Sequence, residues 1–88
     1  MKPLNYAILK YFTKITEASA DEVIDALKGE YGKFKALNKK AVIESLMTAE
    51  ANGLLKETRF ELDDKDGLKV YYSVPEDGIE TINKYIPD

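Results

Sequence analysis

Lys33, Lys35, Lys39 and Lys40 stand within the eight positions of "KFKALNKK", four of the 13 basic residues of a chain whose formal net charge is −3. Ammonium groups at that density suit a polyanion such as a nucleic-acid backbone, because each can neutralise a phosphate and release its counterion. Covalent and metal chemistry have far less to work with. The 88 residues include no histidine and no cysteine, which removes disulfides, thiolate metal sites, the commonest transition-metal ligand and the usual neutral-pH acid or base. The acidic run Asp63, Asp64 and Asp66 lacks the calcium-loop pattern with its distal glutamate, and no phosphate-cradling glycine loop occurs. These absences argue against an enzyme and against a cofactor.

The elements that must position the lysines are legible from spacing. A chain of 88 residues, 44% hydrophobic and 33% charged, is expected to be one globular domain, 1–88, around one core. Leu4, Ile8, Tyr11, Phe12 and Ile15 recur at helical spacing after Pro3, which predicts a first helix over about residues 3–15. Ser19 and Glu22 have the spacing of a capping box and start a second helix, whose buried stripe is Val23, Ile24 and Leu27. Asn38 is a fitting N-cap for a third helix, over roughly 39–52, with Leu37 before it placed to pack on Val42 and Gly53 ending it. "LLKETRFEL" and "LKVYYSV" then read as two strands of a hairpin around the loop "DDKDG", in which Asp66 and Gly67 are the turn residues. Pro75 starts a last short helix with Ile79, Ile82 and Ile86 on one face.

Three helices, a two-stranded β-hairpin wing and a short C-terminal helix make an α+β winged helix-turn-helix. At this level "ALKGEYGKFKALNKKAVIESLMTAEANGLL", the hairpin and "YYSVPEDG" resemble the winged-helix transcriptional regulators, especially the PadR-like group. The residues that carry the resemblance are Gly53, Leu54 and Leu55 at the end of the recognition helix, then Tyr72, Val74, Pro75 and Gly78 where the last helix opens. The resemblance implies a regulator that binds duplex DNA. Two features depart from it. The long C-terminal dimerisation helix of that group does not occur before Asp88, and the wing tip is acidic, with Asp63, Asp64 and Asp66 around Lys65.

In a helix-turn-helix protein the start of the recognition helix enters the major groove. Lys33, Lys35, Asn38, Lys39 and Lys40 are therefore the expected DNA-binding residues, the lysines exposed and facing phosphate. With Val42, Leu46 and Ala49 turned to the core, a 100° step sends Lys40, Glu44, Met47 and Ala51 outward, with Thr48 beside them. Glu44 and Thr48 complete the expected contact set, since a carboxylate can accept from a cytosine amino group while repelling phosphate. Met47 suits either a thymine methyl or an apolar partner. The first helix carries Tyr6 and Leu9 away from its main stripe; with Tyr85 they form an expected homodimer surface, or else the helix is buried nearly all round. The mixed charge keeps open a second reading, a winged-helix adaptor that binds protein and little or no DNA. No apolar run is long enough for a membrane span, and a cytoplasmic setting is expected.

Overall fold

The computed structural model describes residues 2–65 and 67–88, with the backbone alone at Asp63. Pro3 opens helix α1 (Leu4–Phe12), its carbonyl accepting from the Tyr6 and Ala7 N–H groups. The helix stops at Phe12, before the expected Ile15, because the Thr13 hydroxyl and N–H both turn back onto the Lys10 carbonyl, at 2.6 and 3.1 Å. After a turn over residues 13–17, strand β1 (Ala18–Ser19) leads without a linker into helix α2 (Ala20–Tyr31). There the capping box holds as expected, with the Ser19 N–H donating to Glu22 Oε1 at 2.9 Å.

Helix α3 (Lys39–Ala51) is capped at its start by Asn38, whose Oδ1 accepts from the Ala41 N–H at 2.9 Å. At its end Gly53 takes φ +78°, so that the Leu54 N–H reaches the Ala49 carbonyl at 2.9 Å and the Gly53 N–H the Glu50 carbonyl at 3.0 Å. This Schellman closure needs a left-handed residue, which is why glycine stands there. Strands β2 (Lys56–Asp63) and β3 (Gly67–Ser73) form the hairpin, and helix α4 (Glu76–Tyr85) closes the chain after Pro75. The expected turn residue Asp66 lies outside the described residues, while Gly67 takes φ +82° beside it.

The hairpin is wider than its two expected strands. β1 adds to β3 in antiparallel register, Ala18 opposite Tyr72 and Ser19 opposite Tyr71, giving a three-stranded sheet of order β1-β3-β2. Two residues show no periodicity, so spacing alone could not reveal this strand. Glu17, just before it, reaches across β3 to β2, accepting from the Thr58 hydroxyl at 2.8 Å and from Arg59 Nε at 2.7 Å.

The core joins every helix to the sheet through Ile8, Phe12, Val23, Val42, Leu46, Leu55, Tyr72 and Ile82. Val42 and Leu46 are buried as their spacing predicts, together with Leu55 and Tyr72, and Ala49 is half-buried against the same core. Leu27 and Ile24 are corrections: both are only half-buried, and of the expected stripe Val23, nearest the β1 junction, is the residue that is fully enclosed. On the far side the buried Lys10 ammonium donates to Asn83 Oδ1 at 2.7 Å and pairs with Asp88 at 3.1 Å, fastening the C-terminal segment to α1. Burying an amine is tolerable here because both partners are polar and one is charged.

Truncating Leu46 to Ala should therefore cost about 2–5 kcal/mol of unfolding free energy, read from a denaturant titration. Acid should act through two carboxylates. Hydrogen bonds from Arg59 and then Thr58 hold Glu17 below its ordinary pKa of 4.5, and a hydrogen bond and the charge of Lys10 hold Asp88 below 3.8. A lowered folded-state pKa stabilises the fold above the ordinary value, and that contribution is lost as pH falls through the lowered one. Stability measured by thermal melts from pH 6 down to pH 2 should thus fall less steeply in Glu17→Gln than in the parent.

Candidate nucleic-acid interface

The segment between α2 and α3 is built from consecutive turns. The Phe34 N–H donates to the Tyr31 carbonyl and the Leu37 N–H to the Phe34 carbonyl, each at 3.0 Å. Phe34 packs edge-on against the buried Tyr31, with ring centroids 5.0 Å apart, and the Tyr31 hydroxyl donates to the Lys2 carbonyl at 2.6 Å. The loop that carries Lys33 and Lys35 is thereby anchored to the core. Asn38 finishes it at both ends of its amide: Oδ1 caps α3, and Nδ2 donates to the Lys35 carbonyl at 2.7 Å. With both ends engaged, Asn38 shapes the loop and sets where α3 begins.

Lys33, Lys35 and Lys40 are exposed and form no ion pair with a described residue. Lys33 and Lys35 stand in the loop that leads into α3 and Lys40 in its first turn, which contains no acidic residue to offset the positive end of the helix dipole. Lys39 departs from the expectation of a fully exposed side chain. It is half-buried and pairs with Asp21 of α2 at 3.5 Å, because the first turn of α3 lies against the start of α2. The same Asp21 meets Lys69 of β3 at 3.8 Å, so one carboxylate draws two lysines inward.

Further along α3 the outward set is as the helical phase predicts: Lys40, Glu44, Met47, Thr48 and Ala51 are exposed. The set divides between two grooves. Glu44 and Thr48 line a groove of about 500 Å³ against α1, where the Ser45 hydroxyl donates to Asn5 Oδ1 at 3.3 Å. Met47 and Ile43 line another, of about 360 Å³, against the hairpin. Seven expected residues thus become one basic end, made by the loop and the first turn, and a mixed helix face.

The wing offers phosphate little. Its one arginine, Arg59, is engaged by Glu17 and Glu61 and lies over the Tyr71 ring at 3.8 Å from the centroid. These acidic partners, Glu61 first, raise the guanidinium pKa further. Among its exposed polar residues the ribbon also carries three large exposed apolar side chains, Phe60, Leu62 and Leu68. The alternation of Phe60 with Leu62 and of Leu68 with Val70 is the sequence signal, not used above, that one face of the ribbon is apolar.

No protein family and no curated protein matches the chain. Its fold is similar to that of Bacillus subtilis PadR, seen in a crystal structure in complex with operator DNA, with a TM-score of 0.72 at 21% identity over 97% of this chain. The chain spans 47% of the length of that one. The likeness establishes the winged-helix fold, four helices and an antiparallel sheet, that the element order predicts.

Three substitutions separate loop-builders from free charge. Asn38→Ala should lower stability by about 1 kcal/mol through loss of the cap. Lys39→Glu should also lower it, by setting a carboxylate against Asp21, whereas Lys40→Glu should leave the thermal midpoint within about 1 °C of the parent, as expected for an exposed site.

Proposed function

We propose that this chain is a DNA-binding winged-helix protein of the transcriptional-regulator type, holding duplex DNA through the start of α3. One observation carries the reading. Three exposed lysines, none paired with a described residue, stand in the loop before and the first turn of the helix that a helix-turn-helix fold presents to the major groove, in a fold similar to one solved with operator DNA. Lys33 and Lys35 reach phosphates from the loop and Lys40 from the helix, while Asn38 positions them. Glu44 and Thr48 lie where base edges would pass, Glu44 accepting from a cytosine amino group.

The net charge of −3 and the acidic wing tip limit long-range attraction, so the affinity is modest and steeply dependent on salt. Useful specificity then calls for two copies on one site. The pairing surface is Tyr6 and Tyr85, both exposed; Leu9 packs against the core and supports the surface from beneath. The reading assigns no catalysis and places the protein with the DNA in the cytoplasm. No helix among the described residues is long and apolar enough to cross a membrane.

The test is a fluorescence titration of labelled random duplex at low and moderate salt. Replacing Lys33, Lys35 and Lys40 together by Glu should weaken binding strongly and flatten the salt slope by about 3, one for each lost phosphate contact. Lys65→Glu at the wing tip should change it less. Unchanged affinity in the triple variant would refute the interface. Sedimentation from micromolar to near-millimolar concentration should show a homodimer that Tyr6→Asp dissociates; a strict monomer with no DNA binding at low salt would favour the adaptor reading.

A further inference from the structure

The groove between α3 and the hairpin is made by two stripes of different period facing each other. Ile43, Met47 and Glu50 recur at helical spacing along α3, and Leu68, Val70 and Tyr72 alternate along β3. Leu46 and Tyr72 form its floor, both part of the core. The apolar surface continues past the groove. In the hairpin register Phe60 stands opposite Val70 and Leu62 opposite Leu68, and directly opposed residues share a face of the sheet. Met47 is 56% exposed, Leu68 56%, Phe60 61% and Leu62 85%, so four large apolar side chains stand open to water on one side of the molecule. Contiguous apolar surface of that kind marks an interaction site.

Charge at the two ends of the groove is unequal. At one end Asp21 is satisfied by Lys39 and Lys69. At the other, Glu50 from α3 and Glu57 from β2 form no ion pair with a described residue, and both stand close enough to the Tyr72 hydroxyl to add to the effect of burial in raising its pKa. Two unneutralised carboxylates beside an apolar trough repel a phosphate backbone and attract a cation.

We propose that this groove docks a segment of another protein that carries two or three large apolar side chains and a lysine or arginine at the end facing Glu50 and Glu57. The apolar anchors fill the trough between α3 and the ribbon, and the basic residue sets the direction in which the segment lies. The surface shares α3 with the DNA interface but does not depend on it, since Lys33, Lys35 and Lys40 are absent from its walls.

The probe is a synthetic amphipathic helical peptide with leucines along one face and a terminal pair of lysines, compared with the same peptide bearing glutamates, each followed by fluorescence anisotropy. The lysine peptide should bind saturably and the glutamate peptide should not. The double variant Glu50→Gln, Glu57→Gln should bind about tenfold more weakly. Leu68→Asp, at an exposed position and checked for folding by circular dichroism, adds negative charge; mere electrostatic attraction would rise in this variant, whereas docking in the groove should be lost. Absence of saturable binding, equal affinity for both peptides, or binding that survives Leu68→Asp would overturn the proposal. So would a concentration-dependent dimer that Leu68→Asp dissociates, which would make a second copy the occupant, or duplex binding weakened as much by Leu68→Asp as by Lys40→Glu, which would give the face to DNA.

Discussion

The fold depends on the two residue pairs that join β1 to β3. A β-hairpin alone is marginal in water, and here it gains a third strand only two residues long, Ala18–Ser19. Both side chains are small and almost fully enclosed, which lets the start of α2 lie directly against the sheet. Ser19 belongs to two systems at once, since its backbone pairs with β3 while its N–H and hydroxyl engage Glu22 at the head of α2. Glu17 extends the clasp to β2, where Arg59 carries it onto the face of Tyr71. The orientation of the wing against the helices, and therefore the width of the groove beside α3, follows from this junction.

Ion pairs at this junction and at the C-terminus decide which cations remain for a partner. Lys39 and Lys69 are drawn onto Asp21, Arg59 onto Glu17 and Glu61, and Lys10 and Lys14 onto Asp88. Pairs of this kind at the surface add little to stability, but each removes a charge from the outward field. What is left on the α3 side is the loop and first-turn group of Lys33, Lys35 and Lys40. Lys56 and Lys84, exposed elsewhere, likewise form no ion pair with a described residue.

The parts of this architecture that were legible in the sequence are those set by local rules. Caps at Ser19 and Asn38, the glycine stop at Gly53 and the helical period of α3 each depend on residues within one or two turns, and each stands as its spacing predicts. What spacing missed depends on distant pairing. β1 has no period to detect, the enclosure of Val23 rather than Leu27 follows from where the sheet meets α2, and the tie between Lys39 and Asp21 joins residues that only the helix crossing brings together. In the candidate site the order of the lysines was readable, but which of them face outward was a tertiary outcome.

A single irregularity in β2 determines the chemistry of the groove. Strict alternation would set Glu57, Arg59 and Glu61 on one face of the ribbon and Thr58, Phe60 and Leu62 on the other. The register shifts between Glu57 and Arg59, so Glu57 opposes Tyr72, Arg59 opposes Tyr71 and Phe60 opposes Val70. Thr58 is the extra residue, and its hydroxyl lies 2.8 Å from Glu17 and 3.3 Å from the Tyr71 carbonyl. The bulge returns Glu57 to the face that holds Phe60 and Leu62, beside Glu50 of α3, while Arg59 and Glu61 stay on the opposite face with Tyr71 and Lys69. Bulges also twist an edge strand away from casual pairing, and β2 is the longer edge strand of this sheet. One inserted threonine therefore guards an edge that carries exposed Phe60 and Leu62, and it supplies the carboxylate that gives the apolar trough a direction.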